Sequence, residues 1–498
     1  MSKKTNVTCG DYYCFVQIIG VISIILIFGS LAECKVSSSS KLNNFDYTAI
    51  NCRKHSAILT EFDAVGDGKT LNTKAFNSAI TKLSQYANDG GSLLIVPPGK
   101  WLTGSFNLTN HFTLFIQKGA VILASQSQVH LLFFIYIMIF NFDEADWPQL
   151  PILPSYGRGR EKNEPVGRSS SLIFGTNLTD VIITGNNGTI DGQGSVWWEK
   201  FKNDQLKITR PYLIELMYSD QIQISNLNLI NSPNWFVHPI YSSNIIVNGL
   251  TIRAPVDVPN TDGINPDSST NVRIEDNYIE SGDDCIAIKS GWNEYGIKFG
   301  KPSQHIIIRR LTCISPKSAM IALGSEMSGG IEDVRVEDLT AINTEAAVRI
   351  KSAVGRGGFV KDIFVKGMNL NTMKSVFSMT GSYADHSDSK FDPKAALPNV
   401  TGINFRDVTA KNVTIAGELK GISNDPFTGI CISNATIEMF VNKDADKVKL
   451  PWNCTDVSGV TSNVVPKPCE LLPEKKVDCS FPNDKLPIEN VQFKTCSI

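Results

Sequence analysis

The chain lacks an excess of charge of either sign. Its 498 residues contain 47 Lys and Arg against 49 Asp and Glu, which leaves a net charge of −2. Proteins that bind nucleic acid over a broad surface carry a basic excess, so nucleic acid is not an expected partner. An acidic ligand is compatible with this balance only where basic side chains cluster locally.

Zinc-type cysteine pairs and long helical patterns are also missing. None of the cysteines has CxxC spacing, which disfavours a metal site, and no cofactor is expected. After about residue 181, no long stretch between the strand-like phrases repeats its apolar residues every 3.6 positions. Helices that cross over between strands are therefore not expected.

What the chain does contain is a series of short phrases that alternate apolar and polar residues, the period of a half-buried strand. They begin at Val181, Ile222, Ile245, Val272, Ile306, Val334, Ile363, Ile403 and Ile430. Strand repeats without helices predict an all-β solenoid, a right-handed parallel β-helix, with a propeller as the alternative. The amphipathic stretch 73–83 is the expected N-terminal capping helix.

The N-terminus has the pattern of an export signal. Lys3 and Lys4 precede an apolar stretch from Phe15 to Leu31, and the small residues Ser30 and Ala32 suit a cleavage site. We expect residues 1–32 to be a signal peptide of a secreted, cell-wall protein, followed by a linker over 33–57. The alternative is an uncleaved anchor, which alone would make a membrane a partner.

Glycosylation sequons and cysteines agree with export. Seven Asn-x-Thr sequons follow the signal, at Asn107, Asn177, Asn187, Asn399, Asn412, Asn434 and Asn453. Nine cysteines also follow it: Cys34, Cys52, Cys285, Cys313, Cys431, Cys454, Cys469, Cys479 and Cys496. Crowded cysteines in a C-terminal tail, residues 466–498, indicate an oxidising compartment. The odd count leaves one thiol free or paired with an unseen partner.

Residues 129–142 do not fit the repeat. This dense apolar run shows no alternation, and it is short for a membrane span. It reads either as a loop that touches a membrane or a partner, or as a stretch foreign to the fold, such as retained non-coding sequence. The second interpretation is favoured.

Two acidic phrases carry the candidate chemistry. Asp262 lies in Asn-Thr-Asp-Gly, and Asp283 and Asp284 lie in Gly-Asp-Asp-Cys 21 positions later, about one coil of a solenoid. Stacked coils would bring these carboxylates together on one wall. Glycoside hydrolysis needs such a group, one acid to protonate the leaving oxygen and another to activate water. A Gly-Asp-Asp turn without function is the alternative, and Gly282 would permit the backbone to bend.

Two cations follow on a later coil. Arg349 and Lys351 are two positions apart, so a strand places both on the same face. Beside a carboxylate cluster, they suit a substrate that itself carries a carboxylate, which Arg can bind with two hydrogen bonds. The alternative is a pair of surface charges that merely bridge the aspartates. The combination predicts an acidic sugar.

These phrases, in this order, resemble three of the four signatures of the family 28 glycoside hydrolases, the polygalacturonases of pectin breakdown. The resemblance covers about residues 58 to 465, including GDGKTLNT at 66–73, IDGQG at 190–194 and GSEMSGG at 324–330, a phrase of a plant subgroup. It implies a right-handed parallel β-helix that hydrolyses α-1,4-galacturonosyl bonds with inversion.

The resemblance also implies roles for particular residues. Asp283 would be the general acid, and Asp262 and Asp284 would hold and deprotonate water. Asn260, Arg349 and Lys351 would bind substrate, the two cations at the uronate carboxylate. Cys285 and Cys313 would form a disulfide behind the acid.

One departure from the family pattern concerns its fourth signature, a Gly-His-Gly before the Gly-Ser of the next coil. Counting back from Gly324, the histidine position holds Ala319. The absence puts rate and substrate choice in doubt. His238, about one coil before Asp262, could line the cleft instead, although a satisfied loop histidine is favoured. Tyr383 is a weaker candidate for stacking on a sugar.

Three functions follow as alternatives: a hydrolase of pectic galacturonan, a wall protein that binds pectin without turnover, and a hydrolase of a substituted chain such as rhamnogalacturonan or xylogalacturonan. A monomer acting on a pectic polysaccharide is the leading expectation. Endo action needs a cleft open at both ends and exo action a blocked one, a choice that the sequence leaves open.

Overall fold

Short parallel strands stacked in coils make up most of the structure, a computed structural model of the chain. It describes residues 52–126, 146–157, 167–206, 208–383, 396–440 and 450–491. The strands are β1 (His55–Ile58), β2 (Asp67–Leu71), β3 (Ser92–Val96), β4 (Gly99–Thr103), β5 (Phe106–Asn107), β6 (Phe112–Ile116), β7 (Ala120–Ala124), β8 (Gln149–Leu150), β9 (Arg168–Ser169), β10 (Ile173–Thr176), β11 (Thr179–Asp191), β12 (Ile214–Met217), β13 (Asp220–Ile230), β14 (Val237–Ile240), β15 (Ser243–Asn248), β16 (Thr251–Arg253), β17 (Thr270–Glu275), β18 (Tyr278–Glu280), β19 (Ile286–Ile288), β20 (Ser303–Ile314), β21 (Ala319–Leu323), β22 (Ile331–Lys351), β23 (Phe359–Thr380), β24 (Asn399–Lys420), β25 (Phe427–Met439), β26 (Trp452–Thr455) and β27 (Val457–Val465). The α-helices of the described residues are α1 (Thr73–Ser84), α2 (Ser195–Lys202) and α3 (Asn293–Phe299), and 3-10 turns cover Leu59–Phe62 and Pro487–Asn490.

The alternating phrases of the sequence form one continuous ladder of parallel strands. Their first residues pair directly, coil after coil, in the order Val181, Ile222, Ile245, Val272, Ile306, Val334, Ile363, Ile403 and Ile430. All of them are buried, so the interior is a stack of β-branched side chains repeated at the strand spacing of ~4.8 Å. The predicted parallel solenoid is confirmed, because the blades of the alternative propeller would be antiparallel.

The predicted capping helix is confirmed as α1. Its apolar face, with Phe76, Ala79, Ile80 and Leu83, is buried against the first coil. This cover is needed because the end of a solenoid would otherwise expose core side chains and unpaired strand edges. The two other helices, α2 and α3, are short excursions between strands.

A second ladder carries the candidate site. It runs from β5 through β10, β12 and β14 to the segment 264–267, and then through β19, β21 and the C-terminal ends of β22, β23 and β24 to β26. Val237, Ile264, Ile286, Ile321 and Val348 pair along it and point into the core.

The next residue of each strand points outward, since side chains alternate across a strand. These residues form a column that we call the outer column. Its members are Glu215, His238, Asn265, Ala287, Ala322, Arg349, Ser378, Glu418 and Asn453.

Disulfides join neighbouring parts of the solenoid. Cys285 and Cys313 are bonded, as the resemblance implies, with an S–S distance of 2.01 Å. Cys431–Cys479 and Cys454–Cys469 connect the C-terminal tail to the last coils, and Cys52 is also disulfide-bonded. The tail then crosses the outer face of the first ladder, where Leu486, Ile488 and Val491 pack on Ile246 and Ile307.

Some predictions concern other parts of the chain. The signal segment 1–32, most of the linker, the apolar run 129–142, Cys34 and Cys496 lie outside the described residues. Solenoid strands run from His55 to Val465. None of the helices in the described residues is long and apolar enough to cross a membrane.

Candidate active site

The three predicted aspartates meet on the outer surface of the second ladder. Asp262 precedes the segment 264–267, and Asp283 and Asp284 precede β19 on the next coil. The backbone passes another chain segment closely here, because a Cβ on Gly282 would lie 2.0 Å from the carbonyl oxygen of Val258. Glycine therefore permits the turn that brings adjacent aspartates to one side.

The aspartates differ in exposure. One oxygen from each carboxylate lies within 4.8 Å of the others. Asp262 and Asp284 are almost fully buried, with 3% and 1% of their surface exposed, whereas Asp283 is half-buried. Asp283 is thus the carboxyl group with the best access to a bound substrate.

Ser318, which was not predicted as a site residue, links two of these carboxylates. Its Oγ lies 2.5 Å from Asp284 Oδ1 and 3.0 Å from Asp283 Oδ1. The backbone N–H of Ala319 also donates to Asp284 Oδ1, at 3.0 Å. The only sequence signal was its place directly before the position of the missing histidine.

Lys351 and Arg349 lie on the same face of β22, as predicted. Lys351 Nζ donates to Asp284 Oδ2 at 2.7 Å, and the ring of Tyr383 lies 5.6 Å from that ammonium group. Arg349 Nη2 instead donates to Glu345 Oε2 at 2.7 Å. The cations and Tyr383 are therefore grouped beside the aspartates.

A third cation, Lys289, was missed by sequence reasoning. Its Nζ lies 3.5 Å from Asp262 Oδ2 and 3.1 Å from Glu326 Oε2, and 4.3 Å from the ring centre of Trp235. The alternation of the strand that follows Asp284 could have placed Lys289 outward, two residues after Ala287. Its partner Glu326 comes from the Gly-Ser-Glu phrase of the next coil. By distance alone the three aspartates could ligate a metal ion, but Lys289 and Lys351 already supply positive charge there.

Burial and the neighbouring charges shift the pKa values of two of the carboxyl groups in opposite directions. Burial, reinforced by the neighbouring Asp283, raises the pKa of Asp262 to about 7, although Lys289 opposes the shift. Burial would also raise the pKa of Asp284, but Lys351 and Arg349 outweigh it and hold the pKa at about 2. The cluster therefore keeps one proton up to neutral pH while Asp284 stays ionised.

Asn260 contacts the site differently from its expected role. Its backbone N–H donates to Asp283 Oδ2 at 2.9 Å, and its side-chain Oδ1 accepts from Arg210 Nη2 at 2.6 Å. The amide oxygen is thus already engaged, and Asn260 holds Asp283 in place. Its predicted role in substrate binding is not evident from these contacts.

His238 does not line the cleft. It is fully buried, with Nδ1 3.0 Å from Glu215 Oε1 and Nε2 3.3 Å from Asp267 Oδ2. Burial lowers the pKa of His238, but the bonds to the two carboxylates outweigh it and raise the pKa overall. The substrate contact considered for His238 is corrected: the favoured interpretation, a histidine satisfied within the protein, agrees with this geometry.

A family model decides the classification of this fold and site. The model for glycosyl hydrolases family 28 matches residues 158–462. The chain belongs to glycoside hydrolase family 28. Membership makes it a glycoside hydrolase, and the match spans all three aspartates and both cations of β22.

Relatives of this family 28 hydrolase include plant and bacterial proteins. A probable polygalacturonase of Vitis vinifera is 57% identical over 491 residues, which cover 98% of this chain and 95% of that protein. An exopolygalacturonase structure from Thermotoga maritima has a TM-score of 0.62 at 25% identity, covering 79% of this chain and 88% of that one. A polygalacturonase structure from Erwinia carotovora ssp. carotovora has a TM-score of 0.58 at 23% identity, covering 83% and 97%. The fold is the right-handed parallel β-helix of these proteins.

Ala319 occupies a tight position in this family 28 hydrolase. It is fully buried in a cluster with Ala287, Ala322 and Ala346. An imidazole in its place would overfill this cluster and displace neighbouring side chains. Alanine at position 319 therefore fits the close packing of three adjacent coils, whereas a histidine would not.

Proposed function

We propose that this protein hydrolyses α-1,4-galacturonosyl bonds in pectic galacturonan. The observation that carries the proposal is the group of three carboxylates with Arg349 and Lys351 beside it. A carboxylate cluster suits glycoside hydrolysis, and neighbouring cations suit a sugar acid. Vitis vinifera's probable polygalacturonase, which resembles this chain over nearly its full length, supports the same substrate class.

Asp283 acts as the general acid in this proposal. It donates a proton to the glycosidic oxygen as the bond from that oxygen to the anomeric carbon breaks. A water molecule held by Asp262 and Asp284 attacks the same carbon, gives one proton to the carboxylate base and leaves its oxygen on the sugar. Together, the two products contain the atoms of the substrate and of one water molecule.

Inversion at the anomeric carbon follows from the family resemblance rather than from the distances. Inverting glycosidases usually separate their carboxyl groups by about 6.5–9.5 Å, which leaves room for water. Here the nearest oxygens lie within 4.8 Å. Inversion and retention at the anomeric carbon are distinguished by the anomer of the first product, measured by NMR before mutarotation.

Arg349 and Lys351 would bind the uronate carboxylate. Arg349 has five N–H donors, and its bond to Glu345 leaves others for a ligand. Its side chain retains 17% exposure, compared with 9% for Lys351. Arg349 is therefore the better placed of the two for a direct contact.

The first test replaces the proposed general acid. Asp283→Asn keeps the size of the side chain but cannot supply the proton, so release of reducing ends from polygalacturonate should fall by roughly 10²–10⁴-fold. The matched control is Asp257→Asn, an exposed carboxylate on the loop of the preceding coil, which should retain activity. A folded Asp283→Asn protein with full activity would contradict the role of Asp283 as the general acid.

A pectin-binding protein without turnover is the second candidate, and Ala319 is the observation that favours it. Under that function the wild type binds polygalacturonate but releases no product in a long incubation. Activity on rhamnogalacturonan or xylogalacturonan and none on polygalacturonate would instead indicate a substituted substrate.

We also propose that the protein acts in the extracellular cell wall. Its disulfides suit an oxidising compartment. The seven sequon asparagines are all exposed, so each could accept a glycan: Asn107, Asn177, Asn187, Asn399, Asn412, Asn434 and Asn453.

A further inference from the structure

The outer column changes from buried to exposed along the solenoid. On the coils before the aspartates, the side chains of Glu215 and His238 have 0% exposure. On the coils after them, the part of the chain that the structure describes leaves Glu418 36% and Lys420 41% exposed. Among the described residues, the second ladder is therefore covered on the N-terminal side of the aspartates and exposed on their C-terminal side.

Charged and polar side chains form part of the N-terminal cover. Arg168 Nη1 donates to Glu215 Oε2 at 2.6 Å. The hydroxyl of Tyr156 donates to Asp267, which pairs in the ladder with Lys289. The cover thus contacts the same coil that carries Asp262.

An apolar cluster completes this cover. Ile240 faces outward at the end of β14, yet it is fully buried in a cluster with Leu153, Tyr156, Tyr241 and Trp292. We call Leu153, Tyr156, Arg168, Tyr241 and Trp292 the wall.

The wall is fixed to the solenoid by hydrogen bonds through one serine. Ser155 Oγ lies 2.6 Å from Tyr241 Oη, and the backbone N–H of Trp292 donates to Ser155 O at 2.9 Å. Ser155 directly precedes Tyr156, and its bonds connect this segment to the coil of Tyr241 and to the coil of Trp292. The wall is therefore held in place by the folded solenoid.

The covered part of the second ladder comes close to the aspartates. His238, which is fully buried, lies one coil before Asn265, whose Nδ2 donates to Asp262 Oδ2 at 3.2 Å. Adjacent coils are one strand spacing apart, ~4.8 Å, which is about the length of one sugar ring. The cover therefore begins about one sugar length from the coil that carries Asp262.

We infer that the cleft takes a chain end and that the enzyme releases single galacturonate residues, with the wall as the specificity determinant. This inference rests on the proposed hydrolysis of galacturonan. One sugar occupies the closed side of the aspartates, and the rest of the chain leaves through the open side, past Arg349 and Lys351.

The test follows product size from the earliest time points. On unsubstituted polygalacturonate, the wild type should yield monogalacturonate alone, with solution viscosity falling slowly relative to new reducing ends. Hexagalacturonate labelled at its reducing end should give one monosaccharide and one pentasaccharide. Early trimers or a ladder of oligomers would overturn end attack while leaving hydrolysis intact, whereas absence of any product would contradict the proposed function itself.

A variant tests the wall directly. Leu153→Ala with Tyr156→Ala should open the closed side, so that oligomers appear among the early products of the folded double variant. Ile152→Ala, a half-buried neighbour outside the apolar cluster, should keep monosaccharide release. A folded double variant that still gives only monosaccharide would overturn the role of the wall, and the wild-type product sizes decide end attack if the variant does not fold.

Discussion

At the scale of single residues, Ser318 is the contact that most distinguishes this site. Its Oγ lies 2.5 Å from Asp284 Oδ1 and 3.0 Å from Asp283 Oδ1, so one hydroxyl contacts both carboxylates. Asp284 stays ionised beside Lys351, which makes it a strong acceptor for the hydroxyl proton. Ser318 would then hold the proposed acid, Asp283, at a fixed position relative to Asp284, as a positioning residue.

Replacing Ser318 tests this role. Ser318→Ala should lower kcat by roughly ten- to hundredfold, the scale expected when a reacting group is misplaced, with a smaller change in KM. Ser318→Thr keeps the hydroxyl and should recover much of the rate, and the exposed neighbour Lys317→Ala serves as the control. Equal losses in the Ala and Thr variants would indicate a packing role instead.

The proton retained by the cluster predicts a pH limit. Burial and the neighbouring Asp283 raise the pKa of Asp262 to about 7, so the coupled carboxylates together hold one proton below that pH and lose it above. The proposed reaction needs one proton from this group of carboxylates for the leaving oxygen, so kcat/KM on polygalacturonate should fall above about pH 7. A profile that stays flat to pH 9 would contradict the shared proton.

The same shift affects stability with a defined sign. An unfolded aspartate releases its proton near pH 3.9, but folded Asp262 keeps it to about 7, so this contribution to stability declines as pH rises between those values. Asp284 behaves in the opposite way. Its stabilisation is present above about pH 4 and is lost as pH falls towards 2.

At the scale of elements, the C-terminal segment 486–491 can be tested separately from catalysis. Ile488 is fully buried against the outer face of the first ladder, and Arg273 Nη1 donates to its carbonyl oxygen at 3.0 Å. Ile488→Ala should lower the free energy of unfolding by about 2 kcal/mol or more. Val477→Ala, in an exposed part of the same tail, should change it by less than about 0.5 kcal/mol.

Measuring activity shows whether the C-terminal tail affects the candidate active site. The tail packs on the ladder of β15 and β20, whereas the aspartates lie on the second ladder. Ile488→Ala should therefore lower the melting temperature while kcat on polygalacturonate at 25 °C stays unchanged. A loss of kcat in the folded variant would show that the tail acts on the site.

The elements were largely predictable because their signal is local. Alternation at Ile245, Val272 or Ile306 reports burial of one strand face, and stacking such strands needs only their repetition. The pairing of β8 with β9 and the short helices α2 and α3 have no such repetition. They were not predicted.

At the scale of the whole molecule, the sequence predicted only those features of the site that follow from the repeat of the coils. The repeat and the family phrases brought Asp262, Asp283, Asp284, Arg349 and Lys351 to one surface. The repeat did not reveal which aspartate is exposed, because that depends on the turn at Gly282. The positions of Lys289 and Glu326 depend on side-chain packing between coils.

The wall could not be predicted, because its parts are far apart in sequence. Leu153 and Trp292 meet only after the solenoid has folded, and neither belongs to a repeated phrase. His238 was misplaced in the alternative interpretation for the same reason, since Glu215 and Asp267 come from neighbouring coils.

The wall also has a consequence for the polymer being degraded. An enzyme confined to chain ends creates one new end for each end it consumes, so the number of cleavable sites stays constant while every chain shortens. Its output then depends on how many molecules of pectin are present and not on their length. Such an enzyme trims a gel network without severing it, and a partner that cuts internally would multiply its rate by supplying ends.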